Sequence, residues 1–319
     1  MSKPVLFITG LGESIDRAEN LKVLYDAYKG DKDIATLRSP LYADYIAEKR
    51  CALMVTDIFP FHSPGKTILL WHAIQGGKYI GLDERTTYYK PEMANLIDCV
   101  IAAGRGGVDM MHRCTGVPVE KVVNLGMPRT DRYFGKKKGD GRTILAFKKA
   151  YLFVPTFRNK KETAMPDIDW KYLDEMLTDD EILAVKAHPL GKGFKIHGCK
   201  HIMEIHGMES TTKYLYDANV VITDYSSIMF DAYLMNKPVV LFEKNPGYTE
   251  TRGMYLDYPS FYCSFYAKDE GNLLDMMRFR AIHPWLTDTE LNCIDFVADQ
   301  CDGHSCERIC KLIDEMKGE

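Results

Sequence analysis

Short apolar runs recur along this chain, parted by longer stretches in which apolar and polar residues mix. Val5–Thr9 is the first run, and residues 52–55, 67–71, 99–102 and 122–125 repeat it. The rhythm restarts beyond residue 142, at 151–154, 182–185, 220–223 and 239–242. Runs of four or five apolar residues suit strands covered on both faces, and such strands belong to parallel sheets joined by helical crossovers. The alternation therefore predicts an α/β chain. Helices are expected over 14–28, after a turn at Gly10-Leu11-Gly12, over 226–234, and over 305–317. In the last of these Ile309, Leu312, Ile313 and Met316 form one apolar stripe.

One segment breaks the rhythm. Gly135-Lys136-Lys137-Lys138-Gly139-Asp140-Gly141-Arg142 carries no apolar side chain and reads as a linker. A chain of 319 residues also exceeds the ~250–300 at which one core stops growing. Two domains are expected, 1–138 and 139–319, with ligands at the carboxyl ends of their strands.

Composition adds exclusions. Apolar residues are 46% and charged residues 27%, ordinary for globular domains. A net charge of −4 and a pI near 6.2 exclude a nucleic-acid binder that works by bulk positive charge. Any phosphate must be met by a few placed cations and N–H groups. Nine cysteines, an odd number with no signal peptide ahead of Val5, point to reduced thiols in the cytoplasm. No apolar run approaches the ~20 residues of a membrane span.

The residues that stand out follow the predicted strands. Thr223-Asp224-Tyr225-Ser226-Ser227 leads into a helix that carries Asp231. Its hydroxyls either cap that helix or, with its first N–H groups, hold a phosphate. Asp224 is either a turn residue or the orienter of a donor group. Lys186-Ala187-His188-Pro189 ends a strand in a cation and an imidazole, and Pro155-Thr156-Phe157-Arg158 ends another in a guanidinium. Trp71-His72-Ala73 delivers a histidine into a glycine-containing turn, a position for a general base. Arg129 and Asp131, after Gly126-Met127-Pro128, read first as a structural turn pair. Cys301, His304, Cys306 and Cys310 lack the paired spacing of a zinc site, and Ser305 reads there as a helix cap. No metal site is expected.

In their order, these elements resemble the CDP-glycerol glycerophosphotransferase family, whose members prime and polymerise teichoic acids and related capsular polymers. The resemblance rests on residues 16–20, Trp71-His72-Ala73 with Lys78 and Gly81, and Gly126-Met127-Pro128-Arg129-Thr130-Asp131. It continues through Pro155-Thr156-Phe157-Arg158, Lys186-Ala187-His188-Pro189, 223–231, Arg252-Gly253 and 302–308. It implies a GT-B-like architecture, two Rossmann-type domains facing across a cleft. It further implies that Arg158, His188, Asp224, Ser226, Ser227 and Asp231 hold the donor diphosphate, with Lys186, Arg129, Asp131 and Arg252 as further candidates. His72 takes the proton of the acceptor hydroxyl. The donor is CDP-glycerol or CDP-ribitol, and the acceptor a lipid-linked or saccharide polymer met at the membrane surface. No cofactor is required, with Mg²⁺ dependence left open. The alternatives are a GT-B glycosyltransferase using a nucleotide sugar and a non-catalytic nucleotide- or polymer-binding protein.

Overall fold

The computed structural model describes residues 3–10, 18–36, 42, 51–63, 65–84, 89–135, 147–156, 167–186, 196–207, 209–244 and 252–318. They form two compact units, one of Met1–Gly135 with Asp295–Glu319 and one of Lys136–Ile294. The predicted boundary at 138 falls beside the first break. The predicted span of the second domain needs correction: its last 25 residues, 295–319, belong to the first unit.

The first unit is built on a parallel sheet of β1 (Val5–Thr9), β2 (Lys32–Thr36), β3 (Leu53–Thr56), β4 (Lys66–Leu69), β5 (Cys99–Ala102) and β6 (Val122–Asn124), in the order β2-β1-β3-β4-β5-β6. Successive residues of β1 face opposite sides. Val5 and Phe7 join Leu21 and Leu24 of α1 (Glu19–Ala27), whereas Leu6 and Ile8 pack with Ala35 and Met54. Burial on both faces is what makes the strand read as an unbroken apolar run. β2 was missed because Lys32 and Asp33 interrupt its apolar character. The helix α2 (Arg105–Thr115) follows β5 and ends at Gly116 in the left-handed region, φ 72°.

In the second unit β7 (Lys149–Phe153), β8 (Glu181–Lys186), β9 (Ile202–Ile205), β10 (Val220–Thr223), β11 (Val239–Phe242) and β12 (Tyr266–Ala267) are also all parallel, in the order β12-β11-β10-β7-β8-β9. Numbered within the unit, this is the doubly wound order 3-2-1-4-5-6 read from the other edge. The helices are α3 (Trp170–Met176), α4 (Thr211–Asp217), α5 (Ile228–Leu234) and α6 (Glu270–Ile282), with α7 (Asp288–Val297) leading out of the unit. Leu173 of α3 and Leu273, Leu274 and Met277 of α6 pack against Tyr151, Leu183, Ile222 and Val240. No helix among the described residues is long and apolar enough to cross a membrane.

The last helix, α8 (Ser305–Gly318), explains the correction. Ile309 and Ile313 of the predicted stripe are fully buried among Val5, Phe7, Leu53, Val55 and α1. Asp131 accepts hydrogen bonds from the first N–H groups of α8, Ser305 N at 3.0 Å and Cys306 N at 2.7 Å. A carboxylate there satisfies orphan donors and meets the positive end of the helix dipole. The cap is thus Asp131, 174 residues upstream, and Ser305 instead gives its hydroxyl to the Gln300 carbonyl. Replacing Ile313 by Ala should cost about 2–5 kcal/mol. Hydrogen exchange should then quicken in β1, β3 and α1 and leave β7–β11 unchanged; faster exchange in the second sheet instead would overturn the assignment of α8.

Candidate functional site

An open doubly wound sheet presents its site where neighbouring crossovers leave in opposite directions, outside the carboxyl ends of those strands. In the first sheet that point lies between β1 and β3, and in the second between β7 and β10. Each is bridged by an aspartate. Asp57, just past β3, accepts from Thr9 Oγ1 at 3.0 Å and from Gly10 N at 3.2 Å at the end of β1. Asp224, just past β10, accepts with one carboxylate oxygen from Thr156 N at 2.7 Å and Tyr225 N at 2.6 Å. Thr223 Oγ1 also donates to the Val154 carbonyl, closing the same seam.

Asp224 thus ties two strand ends together. Asp57 had not been singled out, yet the signal exists: Val55-Thr56-Asp57 and Ile222-Thr223-Asp224 end their strands with the same Thr-Asp step. Burial lifts the Asp57 carboxyl to about 6, against the opposing pull of the Gly10 and Thr9 hydrogen bonds.

In the first unit β4 carries His72. Its ladder ends where Leu70 N donates to the Thr56 carbonyl at 2.8 Å. Trp71 then turns into the left-handed region, φ 62°, with its indole 4% exposed and edge-on to Phe59. That turn puts His72 on the exposed side, its ring 4.6 Å from the Trp71 ring at 33°. Arg129, 8% exposed, donates from Nη1 to the His72 carbonyl at 2.6 Å. Asn20 of α1 donates to the Trp71 carbonyl at 3.1 Å and accepts from Arg129 N at 3.1 Å. Arg129 and Asp131 do not work as the expected turn pair. One reaches back to the His72 loop and the other caps α8.

In the second unit Ser226 and Ser227 stand half-exposed at the end of β10, next to Asp224. The Ser226 hydroxyl accepts weakly from Ile228 N at 3.4 Å, and Ser227 occupies the cap position without a side-chain cap bond. Asp231 is buried in the first turn of α5. Lys186 ends β8, beside β7, and is buried with Nζ on the Gly207 carbonyl at 3.0 Å. Arg252 is half-buried. Arg158 and His188 lie outside the described residues. A concavity of about 810 Å³ elsewhere in this unit includes Asp167, Asp169, Asp174 and Glu270 in its wall. Lys171, His197 and Lys244 line it as well, and Lys244 pairs with Glu270 at 2.9 Å.

Comparison with known proteins fits this picture. A family model described as CDP-glycerol:poly(glycerophosphate) glycerophosphotransferase matches residues 26–315. The teichoic acid poly(ribitol-phosphate) polymerase of Bacillus spizizenii is 25% identical over 94% of this chain and 52% of its own length. The teichoic acid glycerol-phosphate primase of Bacillus subtilis is 24% identical over 65% of this chain and 58% of its own. The chain thus spans little more than half the length of these relatives. Among solved structures, wall teichoic acid polymerase TagF superposes with a TM-score of 0.79 at 17% identity, covering 99% of this chain and 89% of that one. The UDP-GlcNAc 2-epimerase of Methanocaldococcus jannaschii gives 0.59 at 12% identity, covering 98% and 99%. These two likenesses establish the fold, GT-B-like with two parallel α/β domains.

The buried Asp57 gives a measurable pH signature. A carboxyl whose folded pKa stands above its unfolded value stabilises below that unfolded value and loses its contribution as pH rises through the folded one. From the usual 3.8 to about 6 the native fold should weaken by about 3 kcal/mol from this group. Urea unfolding of Asp57→Asn between about pH 4 and about pH 7 should lack most of that fall. A difference from the parent protein that stays constant across the range would refute the assignment.

Proposed function

Because the chain belongs to the CDP-glycerol:poly(glycerophosphate) glycerophosphotransferase family, we propose that it transfers a polyol phosphate, glycerol phosphate first among them, from a CDP-activated donor to an acceptor hydroxyl. The acceptor is a teichoic-acid-like or capsular polymer, lipid-linked or free, met from the cytoplasm. The acceptor oxygen attacks the distal phosphorus of the donor, the bond from that phosphorus to the bridging oxygen breaks, and CMP leaves. CDP-ribitol is the second donor to test.

His72 carries the reading. It is an exposed imidazole just past the end of a buried strand, with its ring tilted against that of Trp71 and its carbonyl held by Arg129. In the proposed reaction it takes the acceptor proton, a contribution of typically ~10²–10⁴ in rate. The second unit holds the donor: Ser226 and Ser227 offer hydroxyls at the end of β10, Arg158 and His188 supply positive charge, and Asp224 keeps the seam closed behind them. Asp231, buried in α5, and Lys186, occupied by a carbonyl, serve the shape of that region. Phosphoryl-type transfer needs placement and charge neutralisation more than covalent participation by the protein.

CMP release from CDP-glycerol and CDP-ribitol, set beside UDP release from UDP-sugars, tests the donor class, with Mg²⁺ and chelator as paired conditions. Release of UDP alone would make the chain a glycosyltransferase. In His72→Ala, turnover should fall by at least ~10²-fold while CDP-glycerol still binds by calorimetry. Undiminished turnover would remove His72 as the base.

A further inference from the structure

Resting on His72 as the base, we propose that Asn20 and Arg129 are its positioning residues, a mount that fixes the backbone on which the imidazole stands. The turn after β4 carries three consecutive carbonyls that no strand can pair. Each accepts from a buried side chain: Trp71 from Asn20 Nδ2 at 3.1 Å, His72 from Arg129 Nη1 at 2.6 Å, and Ala73 from Gln75 Nε2 at 3.2 Å. Gln75 is a local clasp, whose Oε1 accepts Ala103 N at 3.0 Å past β5. Asn20 and Arg129 come from α1 and from the turn Pro128–Phe134, and are tied to each other through Arg129 N and Asn20 Oδ1 at 3.1 Å.

The conformation they hold is one that the chain would otherwise leave. A bulky aromatic at φ 62° is unfavourable and persists only where its surroundings over-determine it. Asparagine is a poor helix former, and its amide buried in the first turn of α1 demands partners. Its Nδ2 meets the Trp71 carbonyl and the Met127 sulfur, 3.6 Å away, while its Oδ1 is occupied by Arg129 N. These contacts set the peptide between Trp71 and His72, so that the indole turns inward and the imidazole outward. Neither Asn20 nor Arg129 needs to touch a substrate for this. A displacement of about 1 Å at a reacting group is enough to cost on the order of 10²-fold in rate.

Two substitutions separate the mount from mere support of the fold. Asn20→Asp keeps an acceptor for Arg129 N and sets an oxygen against the Trp71 carbonyl. Arg129→Met keeps bulk and removes the donor to His72. In the 319-residue protein, each folded variant should lose on the order of 10- to 100-fold in kcat with CDP-glycerol at unchanged donor KM. In a His72→Ala background the same changes should cost nothing more, because residues acting through one group are not additive. The His72 ring signal in ¹H–¹³C NMR, read without turnover, should shift in both variants. Full kcat, an equal loss in the His72→Ala background, an unmoved ring signal, or failure of both variants to fold would each overturn the proposal. Should His72→Ala itself turn over at the parent rate, the base assignment falls, and the ring signal still decides whether Asn20 and Arg129 hold that residue.

Discussion

A parallel strand that stops at the carboxyl edge of a sheet leaves its next backbone groups without a ladder partner, and a buried carbonyl or N–H must still be answered. In this chain the answers are side chains from distant segments. Asp57 receives Gly10 N, Asp224 receives Thr156 N, Asn20 and Arg129 reach the turn after β4, and Asp131 receives the first donors of α8. Each tie satisfies a local debt and at the same time locks two loops together. His72 stands on one of the turns held in this way.

This arrangement explains why the residue types matter more than their charges. Arg129 is largely buried, and its guanidinium donates from Nη1 to the His72 carbonyl. Lys186 at the end of β8 likewise donates from Nζ to the Gly207 carbonyl. Buried cations that donate to main-chain oxygens stiffen loops without adding to the surface potential. Such placements let cations serve the architecture of a protein whose net charge is −4.

The strands were legible because burial on both faces leaves no polar interruption: 5–9, 99–102, 220–223 and 239–242 match the structure residue for residue. β2, β9 and β12 were not read: Lys32, Asp33 and Glu204 break the first two apolar runs, and β12 is only two residues long. The terminal helix was legible as an amphipathic stripe, but a stripe does not say which core it covers. Only the three-dimensional partners, Asp131 and the residues around Val5, assign it to the first unit. Asn20 and Asp57 had the same weakness. A polar residue beside an apolar run reads as a turn or a cap until its partner, tens of residues away, is known. The repeated Val-Thr-Asp and Ile-Thr-Asp steps were the one local clue that two strands end alike.

A glycine-rich helix start in the first unit departs from what sequence habit suggests. Gly104, Gly106 and Gly107 open α2 just past β5, where a loop of small residues at a helix end invites a phosphate reading. A β-carbon on Gly104 would lie 2.3 Å from the Val297 carbonyl carbon, and one on Gly106 2.3 Å from the Phe296 ring. Arg105 N, the donor an anion would use, is already taken by Asp299 at 2.7 Å. These glycines let the returning chain at 295–301 lie against the helix start, so the protein's own carboxylate occupies the anion position. That end is filled from within, whereas the His72 side chain after β4 stays exposed. In the second unit Ser226 and Ser227 keep their hydroxyls half-exposed at the end of β10.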